Sequence, residues 1–289
     1  MRRLFLAGAL LLAMLIPASS ALASSHHPTG EFKNFGECPL SNPSVNFCTF
    51  SENTSGEFKV GKKTVPLVNP QILQGGLITN LETFESTFVA AENGETLSKT
   101  AQPVPGGLLG ITAPTWWPKF LQDLFNETIN KGLTGVTATV ELAKPASNIK
   151  LSLLNLLFQS GTALSLPAKV KLSNAFLGSN CYIGSSSNPI TINFTSGTTS
   201  PPPPNKPISG SVGTVTENEA HTLSVISGGR LVDNAFAAPG ANGCGGLFSF
   251  LIDPFVNEIV GVPSAAGTNT AILEGKIELA QRPAVEASE

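Results

Sequence analysis

Apolar and polar positions alternate along much of the chain. Val136, Ala138, Val140 and Leu142 alternate with Thr and Glu, and Leu164, Leu166, Ala168, Val170 and Leu172 alternate again. A period of two puts every second side chain on one face, so both stretches predict half-buried strands. Residues 47–50, 56–67, 71–79, 149–154, 190–194, 212–216, 221–227 and 270–279 predict further strands. Within 56–67, Gly61, Lys62 and Lys63 separate two short runs as a hairpin loop does. Asn93-Gly94, between 83–92 and 95–100, supplies the positive φ angles of a type I′ turn and predicts a second hairpin.

Two stretches switch to helical spacing. From Pro118, which suits a first turn, Phe120, Leu121, Leu124, Phe125 and Thr128 fall on one side of a helix over 118–131. Gln122, Asp123, Asn126, Glu127 and Asn130 fall on the other. The second helix covers 247–260, with Asp253-Pro254 inside it. The expected fold class is all-β and β-sandwich-like, with a short helix over each end. Phe-rich segments 120–125 and 248–255 are expected either to seal a core or to line a cavity.

Repetition raises the reading of two related halves. Asn174-Ala175-Phe176 leads through a loop to Cys181, and Asn234-Ala235-Phe236 leads to Cys244. Helix 118–131 precedes Val140-Glu141-Leu142-Ala143, and helix 247–260 precedes Ile277-Glu278-Leu279-Ala280. The expected division is therefore 24–145 and 146–289. The four prolines from Pro201 to Pro204 form a stiff extended connector within the second half.

Composition bounds the setting. Only 13% of the 289 residues are charged and the formal net charge is −3. An average soluble domain has about 25% charged residues. No basic footprint for nucleic acid or anionic membrane is present. Arg2 and Arg3, the apolar run from Leu4 to Ile16, and Ala21-Leu22-Ala23 read as a signal peptide over 1–23. That run is too short to span a bilayer, which takes about 20 residues. A secreted chain without a transmembrane segment follows as the expectation. Its four cysteines then read as two disulfides. Of three possible pairings we favour Cys38–Cys48, a local loop, and Cys181–Cys244, a staple between the repeated phrases.

The stretch from Leu231 through Asn234-Ala235-Phe236 to Cys244 resembles a group of secreted actinobacterial proteins without an assigned activity. So do Asn180-Cys181-Tyr182-Ile183-Gly184 and the run from Pro201 to Gly210. The likeness covers most of the chain after the signal and is strongest from about Cys181 to Ala280. It implies an exported, cell-envelope setting, and it carries over no cofactor and no site residue.

Candidate chemistry is thin. The histidines are His26, His27 and His221. A hydrolase would have to build its site from distant residues around His221, because strand alternation puts His221 and Ser224 on opposite faces and no nucleophile elbow is present. Asp123 and Glu127 fall on a polar helix face, which reads as solvated surface rather than a glycosidase pair. Asp233 sits in the repeated phrase, but its counterpart Ser173 is not acidic. Trp116 and Trp117 are possible surface contacts, although packing of the helix start onto the sheet is the favoured reading. Cleavage after Ala23 would leave Ser24-Ser25-His26, a terminus able to chelate Cu(II) or Ni(II); a frayed end is the plainer reading. No cofactor is implied. The first functional expectation is a non-enzymatic secreted or envelope β-protein with a binding or structural role. An apolar-ligand carrier is its sharper form, and a hydrolase around His221 is the alternative.

Overall fold

The computed structural model describes residues 26–107, 114–131 and 135–289. The predicted signal segment, Ser24 and Ser25 lie outside them.

The chain is all-β. After a 3-10 turn at Gly30–Phe35 come β1 (Phe47–Val60), β2 (Lys63–Pro66), β3 (Gln71–Thr79), β4 (Glu85–Val89) and β5 (Ala101–Pro103). Helix α1 (Lys119–Lys131) leads to β6 (Thr137–Leu142), β7 (Lys150–Ser152), α2 (Leu153–Leu157), β8 (Leu164–Ser173), β9 (Tyr182–Ile183) and β10 (Ile190–Phe194). The last stretch holds β11 (Thr214–Glu217), β12 (Leu223–Asp233), β13 (Ala241–Asn242), α3 (Ser249–Val260), β14 (Thr270–Gln281) and α4 (Arg282–Glu286). The expected helices 118–131 and 247–260 are present as α1 and as a 3-10 turn running into α3.

All fourteen strands among the described residues belong to one sheet, in the order β11-β12-β14-β1-β3-β4-β7-β8-β6-β5, with β10 and β9 on the other side of β8. The sheet curls until β10 meets β12. At that seam Thr195 and Val232 exchange two backbone bonds of 2.9 Å. The Asp233 carboxylate reinforces it by accepting from the Asn193 amide at 2.7 Å and from Ala235 at 2.8 Å.

β1 is the spine. Its 14 residues extend about 46 Å at roughly 3.3 Å each, and they pair with β14 on one side and with β3 and β2 on the other. Both neighbours of β14 slip register opposite Gly275: β1 between Asn53 and Ser55, β12 between Ser227 and Gly229. A Cβ on Gly275 would stand 2.1 Å from the Glu52 carbonyl, so any larger residue would push β1 away there.

The sheet does not divide at residue 145. β1 pairs with β14, β4 with β7 and β6 with β8, each across that boundary. The two repeated phrases, both after residue 145, take different local structures. In the first copy the Asn174 side chain accepts from the Phe176 amide, and Phe176 is 60% exposed. In the second copy the same i to i+2 turn is made one residue earlier, by Asp233 to Ala235, and Phe236 is 6% exposed. A shift of one residue turns the phenylalanine over. The cysteines after the phrases do bond: Cys181–Cys244, and likewise Cys38–Cys48.

Two other expectations are corrected. Asn93-Gly94 does not join two paired strands. Residues 85–89 and 96–98 both pair with β3, so the turn closes a bulge in one interrupted strand. That bulge docks on Glu37, whose carbonyl and carboxylate take the amides of Glu92 and Asn93. The strand over 149–154 stops at Ser152, where its hydroxyl accepts from the Asn155 amide and caps α2. The proline run is a surface loop tied to the 267–269 turn, with Asn205 bonding the carbonyls of Gly267 and Asn269.

Candidate functional site

Two apolar chambers lie between the described residues, stacked along β1. The upper one has a volume of about 90 Å³. Its walls are Val60 and Val65 from the β1–β2 hairpin, Ala138 and Val140 from β6, and Val170 and Leu172 from β8. Ile183, Ile190, Ile192 and Phe236 continue the wall, and Ile259 and Val260 of α3 complete it. The lower chamber, about 50 Å³, lies among Leu73, Phe88, Leu151, Leu164, Leu231 and Leu273. Phe58 and Val140 line both chambers and form the wall between them.

Strand alternation explains the upper walls: in each strand the residues of one parity face in. The exception is Lys63. In Lys63-Thr64-Val65-Pro66 it shares a face with Val65, and so it lines the same cavity. Burial holds its ammonium below the usual lysine range. Among the described residues it has no hydrogen-bond or ion-pair partner. The cavity's other polar side chain, Gln102, is held by backbone groups: its carbonyl accepts from the amides of Val68 and Asn69, and its amide donates to the Asn69 carbonyl.

The C-terminal turn of α3 rims the cavity, and two of the helix's polar residues turn inward. Asp253 turns inward and accepts from the amides of Gly243 and Cys244. Asn257 accepts from the Ala241 amide at 2.7 Å. The disulfided loop is thereby fixed by the helix's own polar residues. Val256 and Val260 pack into the core, while Leu247, Phe248, Phe250, Leu251 and Phe255 face outward. Leu247 is 94% exposed and Phe250 71%. Gly261 ends the helix in the left-handed region, and Gly61 of the β1–β2 turn packs so closely there that a Cβ would stand 2.3 Å from the Gly261 carbonyl. Lys62 pairs with Glu258 across the same contact.

The excursion carrying α1 leaves and rejoins the sheet at this cavity. Its two ends, Val104 and Val136, are hydrogen-bonded to each other at 2.9 Å and both line the wall. The expected packing of α1's apolar face is not what the structure has: Phe120, Leu121 and Leu124 are exposed. Trp116, 80% exposed, is a surface residue; Trp117 packs edge-on against Phe125 at 5.6 Å. Phe120, Phe248, Phe250 and Phe255 therefore neither seal the core nor line the cavity, and of segment 248–255 Ile252 packs against the core. The strands and the C-terminal turn of α3 line it instead.

The remaining predicted residues are placed apart from the cavity. His221 stands in the β11–β12 turn at φ 53°, with its ring largely in solvent and bonded to Glu217 at 2.6 Å. Ser224 pairs opposite Glu217 in the strand, and among the described residues no hydrogen bond joins it to His221. Asp123 pairs with Lys119 on the surface. Asp233 borders an open polar hollow of about 310 Å³ with Thr162, Asn193, Thr195 and Thr199, but both its oxygens serve the seam. His26 has both ring nitrogens engaged, Nδ1 with Glu289 at 2.6 Å and Nε2 with Glu92 at 3.3 Å. The other two residues of the expected chelate, Ser24 and Ser25, lie outside the described residues. Among the described residues no group of three or more His, Cys, Asp or Glu could hold a metal ion, and no helix is long and apolar enough to cross a membrane.

Sequence reasoning missed Lys63, Val104 and Val136 as site residues. For Lys63 the signal was present: in a hairpin strand it shares parity with Val65. For the two valines there was none, because they meet only through the fold. Comparison with known proteins adds nothing to this geometry: no family model, no curated protein and no solved structure matches the chain.

Proposed function

We propose that the protein is a non-enzymatic, exported carrier of apolar molecules that works at the cell envelope. The observation that carries this reading is the upper chamber, an almost wholly apolar space left between the curled sheet and α3. Close packing is the rule in protein interiors, and an apolar void forgoes contacts that a ligand restores. The outward Leu and Phe side chains of α3 support the same reading. They continue the apolar surface from Ile259 and Val260 to the outside and form the face that meets a lipid phase. The helix carries no Lys or Arg, so attraction to lipid through this face is independent of anionic headgroups. Two disulfides, the signal-like start and the resemblance to exported actinobacterial proteins support the location. The hydrolase alternative has no comparable support, since His221 pairs with Glu217 in solvent.

Displacement of an apolar fluorescent probe tests the proposal. Ile183→Trp fills the upper chamber from a buried wall position. Wild type binds the probe, and the filled variant, still folded by circular dichroism, loses binding at least tenfold. Equal binding by both variants would remove the chamber as the site.

A further inference from the structure

We infer that the ligand is amphipathic, an acyl chain ending in a carboxylate, with the chain in the upper chamber and the carboxylate on the Lys63 ammonium. The inference rests on the carrier reading and specifies its ligand. Of the polar side chains in the chamber wall, Gln102 is committed to backbone groups and Lys63 has no partner among the described residues. The nearby charges do not serve it. Glu258 is held by Lys62 on the outer side of the hairpin, and Glu57 and Lys59 lie on the exposed face of β1. Lys63 is only partly buried, so the desolvation of its ammonium is modest, and a counter-ion would offset it. A bound anion at the mouth relieves that cost, and the lowered pKa of Lys63 reports the same desolvation.

One cation neutralises one charge. A carboxylate leaves the mouth neutral, whereas a phosphate dianion leaves a net negative charge against an apolar wall. Volume limits the chain. At about 90 Å³ the chamber is smaller than the roughly 150 Å³ cavity that holds a benzene ring. A short chain fits it as it stands, and a longer one must displace Phe58 to reach the lower chamber.

Calorimetric titration of the folded protein with saturated carboxylates from butyrate to decanoate tests this, beside their methyl esters and the matching alkyl phosphates. Affinity for the acids is expected to rise about fourfold per methylene and to level off when the chamber is full. Esters and phosphates should bind about tenfold or more weaker than acids of equal length. Lys63→Met, similar in length and apolar, should abolish the preference for acid over ester while keeping ester affinity, and Lys63→Arg should retain the preference. An unchanged acid-to-ester ratio in Lys63→Met, or tighter binding of phosphates, overturns the assignment of the headgroup and leaves the carrier reading standing. If neither acids nor esters bind wild type at any length, the carrier reading itself fails.

Discussion

The two ends of β1 use the same parts to opposite effect. At its start the Cys38–Cys48 disulfide sits beside the 3-10 turn and α4, and Phe35, Leu40, Val45 and Val285 are all buried in a second small core. The first and last described residues close over it, with Thr29 bonded to Ser288 and His26 to Glu289. At its far end the Cys181–Cys244 disulfide sits beside α3, where Asp253 and Asn257 turn in toward the loop while Phe248, Phe250 and Phe255 face outward. A disulfide and a short helix make a plug in one place and an open rim in the other. The difference lies in what the loop needs. The loop at Cys244 carries unpaired backbone amides that α3's Asp253 and Asn257 satisfy, and that duty fixes which face of the helix turns inward.

Mutations at the two ends should therefore differ most. Phe35→Ala empties a sealed core and should cost about 3–5 kcal/mol in denaturant unfolding. Phe250→Ser exposes nothing new and should stay within about 0.5 kcal/mol, while weakening sedimentation with lipid vesicles. Equal costs at the two sites would break the comparison.

The disulfides should differ less. Cys181–Cys244 closes a sequence separation of 63 residues and Cys38–Cys48 one of 10. In the chain-entropy account the longer loop gives roughly 1.5 kcal/mol more stabilisation. Double Cys→Ser variants of each pair, compared by urea midpoint, check the order; a larger loss from the short loop would contradict it.

The smallest effect concerns the seam between the two ends. Burial raises the Asp233 carboxyl above its ordinary 3.8, against the pull of the Ala235 and Asn193 amides. A raised native pKa means that folding takes up a proton between the ordinary and the raised value. Stability from this group is therefore greatest below pH 3.8 and falls as pH rises through that window. Asp233→Asn lacks the slope. Parallel pH profiles of wild type and variant would show that Asp233 does not titrate on folding.

Much of this was legible in the sequence. The alternation at 136–142 and 164–172 marks β6 and β8, helix boundaries fall within a residue or two, and of three possible cysteine pairings the favoured one forms. What failed did so for physical reasons. Periodicity shows that 118–131 and 247–260 each have two faces, but not which face the neighbouring chain requires. Asn93-Gly94 marks a turn without naming its partner, and Glu37 takes the bulge that a hairpin would have paired. The cavity was not legible, because its wall joins residues from Phe58 to Val260 that only the curled sheet brings together.

The proposed carrier role needs one chamber open to apolar ligands while the core at the other end stays closed. Methyl-resolved NMR of the folded chain during titration with a small apolar probe such as cyclohexane tests it most directly. The account predicts saturable shifts at the methyls of Val170, Ile183 and Ile192 and none at Val45 or Val285. Shifts at both ends, or at neither, would contradict it.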